Sequence, residues 1–226
     1  MTIERTFVPA LGWHFLTPLY DPVIRMLTRE RLWRTALVEQ IDPRPGQTIL
    51  DVGCGTGSLA ILLKQAQPLA RMVGLDPDAN VLARAAAKAS SAGVEIEWRQ
   101  GFARDAAGLG TRFDKSVSSM VFHQVPLEEK RAGLEAMAEA TASGGEVHIA
   151  DFARQRRALM RALFRLVGQL DGSANTRPNA DGALERIIGE IAPAAAEPTR
   201  RFATPLGEIS LFRIPIPTTR LRAGRP

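Results

Sequence analysis

Three glycines at alternate positions, directly after a short apolar run, constrain the fold of this chain more than any other feature. The run from Thr48 to Val52 predicts a buried strand, and Ser58 to Lys64 has the apolar spacing of a helix. The glycines between them are Gly53, Gly55 and Gly57. Glycine lets a backbone approach a ligand closely, and a helix N-terminus offers unpaired N–H groups. The sequence therefore predicts an α/β protein with a cradle for a nucleotide-like ligand.

An acidic residue before the glycines argues against a dinucleotide in that cradle. Dinucleotide sites have the spacing Gly-x-Gly-x-x-Gly, and here Ser58 stands at the position of the last glycine. The carboxylate of Asp51 would repel a pyrophosphate and would suit a cationic group. A nicotinamide oxidoreductase is therefore disfavoured, and an absence of hydride transfer with either nicotinamide cofactor would exclude it.

A second predicted strand, Met72 to Asp76, also ends on an acid. Asp76 lies nineteen residues beyond Gly57, near the separation at which an acid meets ribose hydroxyls in two-strand cradles. Asp78 is a good N-cap for the alanine-rich helix predicted from Ala79 to about Ser91. We interpret Asp76 as a ribose-binding residue; the alternative is a solvated loop carboxylate.

The loop from Asp51 to Gly57 resembles that of the class I S-adenosylmethionine-dependent methyltransferases, and the resemblance extends over roughly residues 23 to 214. It implies a doubly wound α/β fold of the Rossmann-like methyltransferase type. The seven-stranded sheet would be mostly parallel, with an antiparallel last strand and a helical insertion before strand 6. The cofactor implied is S-adenosylmethionine. The implied cofactor-binding positions are Asp51, Gly53, Cys54, Gly55, Gly57, Asp76, Pro77, Phe102, Ala103, Ser118 and Ser119.

The resemblance departs from the family at the adenine position. Family members often have an aspartate near Gly101, where this chain has Phe102. We therefore expect backbone N–H groups and stacking to hold the adenine, with Asp105 as a possible substitute for the missing acid.

The remaining elements follow the order expected of such a fold. They are a helix from Val23 to Ile41, a strand from Val94 to Arg99, a fourth strand with its exit loop from Phe113 to Val125, a helix from Leu127 to Ala140, a strand from Glu146 to Ala150, and a hairpin of Arg200 to Pro205 with Ile209 to Ile214. The exit loop of the fourth strand runs to Val125 and completes a third family landmark.

His123, in that exit loop, is the best candidate for a catalytic base and also for a substrate contact. Histidine titrates near neutral pH, and a base is needed only where the acceptor must lose a proton. The equal alternative is a histidine packed on the pocket wall. Tyr20 and Asp151 are further candidates for substrate contact. His14 and His148 are interpreted as structural.

Three segments flank or interrupt the domain predicted over residues 23–214. We expect residues 1–22 to form an apolar lid over the cofactor pocket and residues 215–226 to form a flexible tail. Residues 153–192 predict an inserted helical cap. In it Arg154, Arg157, Arg161 and Arg165 recur at helical spacing, which is typical of a solvated face or of a helix that contacts a membrane surface.

Composition bounds the class of protein. The chain has 226 residues, a hydrophobic share of 45% and a net charge of +5, and it lacks both an apolar run of membrane-spanning length and a signal-peptide layout. We therefore expect a cytoplasmic protein, with membrane contact at most peripheral. The single cysteine, Cys54, predicts neither a disulfide nor a metal site. No nucleic-acid partner is predicted, because no zinc-finger spacing, RNA-binding motif or Asn/Asp-Pro-Pro-Tyr/Phe sequence is present.

Several short segments resemble the quinone C-methyltransferases of ubiquinone and menaquinone synthesis. They are Tyr20-Asp21, Arg31 to Arg34, Ser118 to His123, Gly144-Gly145 and Asp151-Phe152. Ala142-Ser143 departs from the usual Lys-Pro, and the late tyrosine-rich signature is missing. The sequence thus predicts methyl transfer to a small or lipid-like acceptor, of quinone or phospholipid type. The alternatives are a small aqueous metabolite as acceptor, or a non-catalytic regulatory protein that binds the cofactor.

Overall fold

The structure is a computed structural model, and it describes residues 27–171 and 173–218. The predicted lid (residues 1–22), with Tyr20 and His14, therefore lies outside the described residues. So do the start of the first predicted helix and the last eight residues of the chain.

A seven-stranded sheet with the order β3-β2-β1-β4-β5-β7-β6 forms the centre of the molecule. Strands β1 to β5 pair in parallel, whereas β7 is antiparallel to both β5 and β6. This confirms the predicted sheet and its antiparallel last strand. The strands are β1 (Thr48–Val52), β2 (Arg71–Asp76), β3 (Glu97–Gln100), β4 (Phe113–Ser119), β5 (Thr141–Phe152), β6 (Arg200–Thr204) and β7 (Gly207–Pro215).

Helices connect the parallel strands and cover the two faces of the sheet. Those of the described residues are α1 (Glu30–Ile41), α2 (Ser58–Ala66), α3 (Ala79–Ser91), α4 (Leu127–Ala140), α5 (Ala158–Asp171), α6 (Ser173–Ala180) and α7 (Ala183–Ile191), with short 3-10 helices at Ala103–Leu109 and Pro193–Ala195. Among these residues no helix is both long and apolar enough to cross a membrane.

Two apolar clusters hold the layers together, one on each face of the sheet. Successive side chains of a strand point to opposite faces. In β1, accordingly, Leu50 and Val52 belong to one cluster and Ile49 to the other. Trp33 of α1 packs in the same cluster as Ile49 and is only 1% exposed. Asp51 lies on the same face as Ile49 and is therefore a carboxylate beside this second cluster.

Local signals gave the limits of several elements correctly. Strand β1 and helices α3 and α4 begin and end as predicted. The N-cap is confirmed as well, because the Asp78 carboxylate accepts from the backbone N–H groups of Asn80 at 2.8 Å and Val81 at 3.3 Å.

Several predicted limits were wrong, including those of strands β5 and β3 and of the tail. Strand β5 begins at Thr141 instead of Glu146, with a register shift against β4, because β4 offers a pairing partner upstream of the glycine pair. Strand β3 begins only at Glu97. The predicted tail begins too early: Pro215 pairs with β5, and the Ile216 N–H donates to the Gly145 carbonyl at 2.9 Å.

The arginine series does not lie on one helix. Helix α5 begins at Ala158, so only Arg161 and Arg165 are on it, while Arg154 and Arg157 precede it. The Nη1 group of Arg161 turns back to the carbonyls of Gln155 and Arg156, both at 3.1 Å. These contacts occupy carbonyls ahead of the helix, and the regular arginine face that we expected is absent.

Candidate functional site

The order of strands places the site. Strands β1 and β4 are neighbours, but the chain continues from β1 to β2 on one side and from β4 to β5 on the other. Ligands of open α/β sheets bind at such a switch point, beyond the carboxyl ends of the strands. Asp51, Asp76, Ser119 and Asp151 all stand at or near those ends. The sheet therefore brings most of the predicted residues to one edge.

The three glycines of the loop have positive φ angles and different surroundings. A Cβ at Gly53 would meet Val121 Cγ2 at 2.4 Å, and a Cβ at Gly57 would meet Trp98 Cη2 at 2.5 Å. At Gly55 (φ +53°) a Cβ would meet no atom of the described residues within 4 Å. Gly53 and Gly57 are therefore required by packing, whereas Gly55 faces open space at the edge of the sheet.

We expect Gly55→Ala to weaken binding of S-adenosylhomocysteine at least tenfold, because the new methyl group would occupy the cradle. Gly93→Ala is the matched control, since Gly93 also has a positive φ (+66°) and open surroundings but lies outside the loop. Both variants should lose a similar stability, about 1 kcal/mol, for an alanine at positive φ. Calorimetric titration and thermal unfolding of the two variants measure this. Equal affinity in both would show that Gly55 does not face the cofactor.

Asp51 is a buried carboxylate without a counterpart. It is 1% exposed, and neither side-chain oxygen has a hydrogen-bond partner among the described residues. Burial raises the pKa of Asp51 to about 7, while the charge of Arg34 and the amide of Ala60 act in the opposite direction. An unpaired buried carboxylate is costly unless a donor reaches it. Among the described residues, Arg34 and the Ala60 amide thus offset the cost of this carboxylate only in part, and its oxygens can still accept hydrogen bonds from a ligand.

Asp76 links the two loops of the cradle. Its Oδ2 accepts from the N–H of Gly55 at 2.9 Å, and its Oδ1 accepts from the N–H of Asp78 at 3.0 Å. Burial raises the pKa of the Asp76 carboxyl, and these two amides lower it. Each oxygen keeps further acceptor capacity, so both can accept hydroxyl groups as well.

Replacement of Asp76 by alanine should weaken cofactor binding by about 1–3 kcal/mol, because ribose hydroxyls and two loop N–H groups would lose their acceptor. A ligand pair separates the two contributions. Wild type should bind S-adenosylhomocysteine more tightly than its 2′-deoxy analogue, and Asp76→Ala should bind both equally. Calorimetry with the two ligands measures this, and equal affinities in wild type would reject the ribose role.

Most of the other predicted cofactor positions line the same edge, but two do not present free groups. The Ser118 hydroxyl is fully buried and donates to the Val52 carbonyl at 2.9 Å, so it joins β4 to β1 and does not face a ligand. Asp105 accepts a hydrogen bond from the Phe102 N–H at 2.9 Å. This bond uses the carboxylate that was expected to replace the missing family aspartate, and it also uses the Phe102 amide. The Arg104 guanidinium covers the Phe102 ring at 4.4 Å.

The remaining loop residues are consistent with packing roles. Cys54 is buried, and burial raises the pKa of its thiol far above the usual range, which suits a small packing residue and not a nucleophile. The Pro77 carbonyl accepts from Gln100 Nε2 at 3.0 Å. Ala103 begins the 3-10 helix, and Ser119 ends β4 half-buried at the edge.

His123 and Asp151 form a buried pair at the carboxyl ends of β4 and β5. His123 Nδ1 lies 2.6 Å from Asp151 Oδ1, and the two residues are 2% and 0% exposed. Asp151 Oδ2 also accepts from the backbone N–H groups of the exit loop, at Val121, Phe122 and His123. The hydrogen-bond capacity of this carboxylate is thus used within the protein. The predicted substrate contact of Asp151 stays a prediction, and its observed partners are His123 and the exit loop.

Comparison with known proteins agrees with this geometry. Residues 49–145, which run from β1 to the glycine pair of β5, match a family model described as a methyltransferase domain. The matched segment is a methyltransferase domain of the class I, S-adenosylmethionine-dependent type.

Two relatives of this chain act in quinone synthesis according to their names. The ubiquinone/menaquinone biosynthesis C-methyltransferase of Bdellovibrio bacteriovorus is 30% identical over 138 residues, which cover 61% of this chain and 58% of that protein. The ubiquinone biosynthesis O-methyltransferase of Azorhizobium caulinodans is 40% identical over 87 residues, or 37% of this chain and 32% of that protein. The chain thus spans about a third to well over half of these relatives.

A solved structure shares the fold of this chain almost throughout. The magnesium protoporphyrin IX methyltransferase of Synechocystis, crystallised with S-adenosylhomocysteine, superposes with a TM-score of 0.65 at 19% identity. The match covers 88% of this chain and 94% of that one.

The candidate site also contains a residue that the sequence did not indicate. Lys130 of α4 is fully buried, and its ammonium group donates to the carbonyls of Phe122, Val125 at 2.6 Å and Asn175 at 3.0 Å. Burial lowers the pKa of Lys130 to about 8. The lysine therefore ties the exit loop that carries His123 to the cap helix α6. In sequence it resembles any solvated lysine of a helix.

Proposed function

We propose that this chain transfers a methyl group from S-adenosylmethionine to a small or lipid-like acceptor. The observation that carries the proposal is the unpaired, buried carboxylate of Asp51, close in sequence to the open face of Gly55. A ligand with an ammonium group would satisfy Asp51, and one with vicinal hydroxyls would use the spare capacity of Asp76. S-adenosylmethionine has both groups, so the donor set fits this cofactor.

The chain's own residues supply positioning and, where needed, a base. S-adenosylmethionine, when bound, supplies a methyl group already activated on a sulfonium. Alignment of an acceptor in such a site can contribute roughly 7–11 kcal/mol to catalysis. Because Asp151 is an acceptor, His123 carries its proton on Nδ1, and Nε2 is the basic nitrogen of the neutral ring. Nε2 would take a proton from an acceptor hydroxyl or carbon.

The acceptor class rests on the names of the relatives and on the cap. Both quinone-synthesis relatives suggest a quinone-type acceptor, and a phospholipid-type acceptor is the second lipid-like choice. Peripheral membrane contact through Arg154, Arg157, Arg161 and Arg165 stays a prediction, although only two of them share a helix.

Transfer of a labelled methyl group from S-adenosylmethionine into a fractionated cell extract tests the proposal. Label in the organic, lipid-soluble fraction would support a quinone or lipid acceptor. Label in the aqueous fraction would support methyl transfer but would reject a lipid-like acceptor. Tight cofactor binding without any label would favour the non-catalytic alternative. Asp51→Asn serves as the control and should incorporate less label, because its cofactor binding is expected to be weaker.

A further inference from the structure

A cavity between helices α5 and α6 lies outside the cofactor edge. Its volume is about 700 Å³, within the range of small-molecule sites. Its lining includes Arg161, Arg165 and Arg177 at the rim and Phe164 and Thr176 further in. The arginines of the cap thus surround a concavity, whereas a helix that lies on a membrane presents a continuous convex face.

The charge of the cavity is positive. Asp181 is the one carboxylate of its described lining, against three guanidinium groups. Asp181 lies 3.7 Å from Arg177, and both side chains are largely exposed, so this ion pair is weak. Arg165 makes no hydrogen bond or ion pair within the described chain. The described residues therefore provide no anionic partner for the Arg165 guanidinium group.

Two aromatic rings lie between the cavity and the predicted base. Phe164 is buried, and its ring centroid lies 4.8 Å from that of Phe152. The Phe152 ring in turn meets the His123 ring edge-on, at 5.3 Å between centroids. A ligand held in the cavity would thus lie against the aromatic wall behind His123.

We infer that this cavity binds the anionic end of the methyl acceptor, and that the acceptor is an amphipathic molecule with a carboxylate or phosphate group. The inference rests on the proposed function. Guanidinium groups bind both oxyanions with paired N–H donors, and the Phe164 wall suits an apolar body. Arg165 and Arg177 contribute the charge that selects an anion, while the partly anchored Arg161 fixes one side of the rim.

A series of naphthalene probes of one shape tests the inference on the full chain. The probes are 1-naphthoate and 1-naphthyl phosphate as anions and 1-naphthalenemethanol as the neutral analogue. Calorimetry should show that wild type binds an anion at least tenfold more tightly than the alcohol. The better anion distinguishes a carboxylate acceptor from a phosphate one. The double variant Arg165→Gln/Arg177→Gln should lose the preference.

A matched variant controls for net charge. Arg84→Gln/Arg112→Gln removes two exposed arginines outside the cavity and should keep the preference. Equal binding of anion and alcohol to wild type, or a preference that survives in Arg165→Gln/Arg177→Gln, would overturn the inference. So would Arg165-dependent binding to phosphatidylglycerol vesicles without naphthoate binding, which would assign the cluster to a membrane. Titration with S-adenosylhomocysteine distinguishes failure of this inference from failure of the proposed function. If wild type does not bind S-adenosylhomocysteine, the proposed function is rejected, whatever the probes show.

Discussion

Replacement of His123 by asparagine is expected to lower turnover by about 10²–10⁴-fold, the usual contribution of a general base. Asparagine can still donate an N–H to Asp151, so the buried pair keeps its hydrogen bond, but the side chain has no basic nitrogen. Affinity for S-adenosylhomocysteine should stay within twofold of wild type, because His123 lies beyond β4 and not in the glycine cradle. Steady-state kinetics and calorimetry measure the two effects.

The companion variant is Asp151→Asn. Its amide nitrogen would face His123 Nδ1 and favour the tautomer with the proton on Nε2, so turnover should fall in the same direction. Thermal unfolding is needed beside it, because Asp151 also orders the exit loop through Val121, Phe122 and His123. Full activity of His123→Asn would make His123 a wall residue and would mean that the acceptor loses no proton to it.

The cofactor edge was predictable because its signals are local. The apolar run of β1, the glycine turn and the Asp78 cap each depend on residues within one turn or strand. Their order then fixes a doubly wound sheet, since parallel strands require crossover connections. The same argument explains why helices α3 and α4 were placed correctly: Asp78 caps the start of α3, and Glu128 and Glu129 lie in the first turn of α4.

What the sequence could not show depends on distant partners. Which glycine faces the ligand is decided by Val121 and Trp98, both far from the loop in sequence. Asp151 was expected to meet substrate because it ends a strand, yet three exit-loop amides capture its carboxylate. The start of β5 depends on pairing with β4 across a register shift. Met120, a non-glycine residue at φ +60°, marks the bend after β4 without any sequence signal.

Replacement of Asp51 by asparagine is expected to stabilise the protein without cofactor and to weaken cofactor binding. Burial raises the pKa of Asp51 from 3.8 to about 7. Between those values the folded protein binds more protons at this site than the unfolded chain does. The stability that protonated Asp51 contributes at low pH is therefore lost as the pH rises toward about 7. Above that pH the buried carboxylate is charged and lowers the free energy of unfolding. Asparagine carries no charge and removes this destabilisation.

The two expected effects of Asp51→Asn have opposite signs at pH 8. Without cofactor, the melting temperature should rise by about 3–6 °C, which corresponds to about 1–2 kcal/mol in a chain of this size after the cost of burying an amide. Affinity for S-adenosylhomocysteine should fall by about 2–4 kcal/mol, or roughly 30- to 1,000-fold, because the ligand's ammonium group would lose a buried carboxylate. Scanning calorimetry and titration calorimetry measure the two quantities on the same samples.

The pH dependence of binding gives Asp51 a signature that simple loss of structure would not reproduce. Wild-type affinity should fall about tenfold per pH unit below about 7, as the site becomes protonated, and should level off above it. Asp51→Asn should show no such slope. Asp114→Asn removes the same charge at the opposite edge of the sheet, where Asp114 accepts from the Thr48 N–H, and should keep the wild-type profile. An Asp51→Asn variant that binds as tightly as wild type at pH 8 would show that the carboxylate serves the fold and not the cofactor.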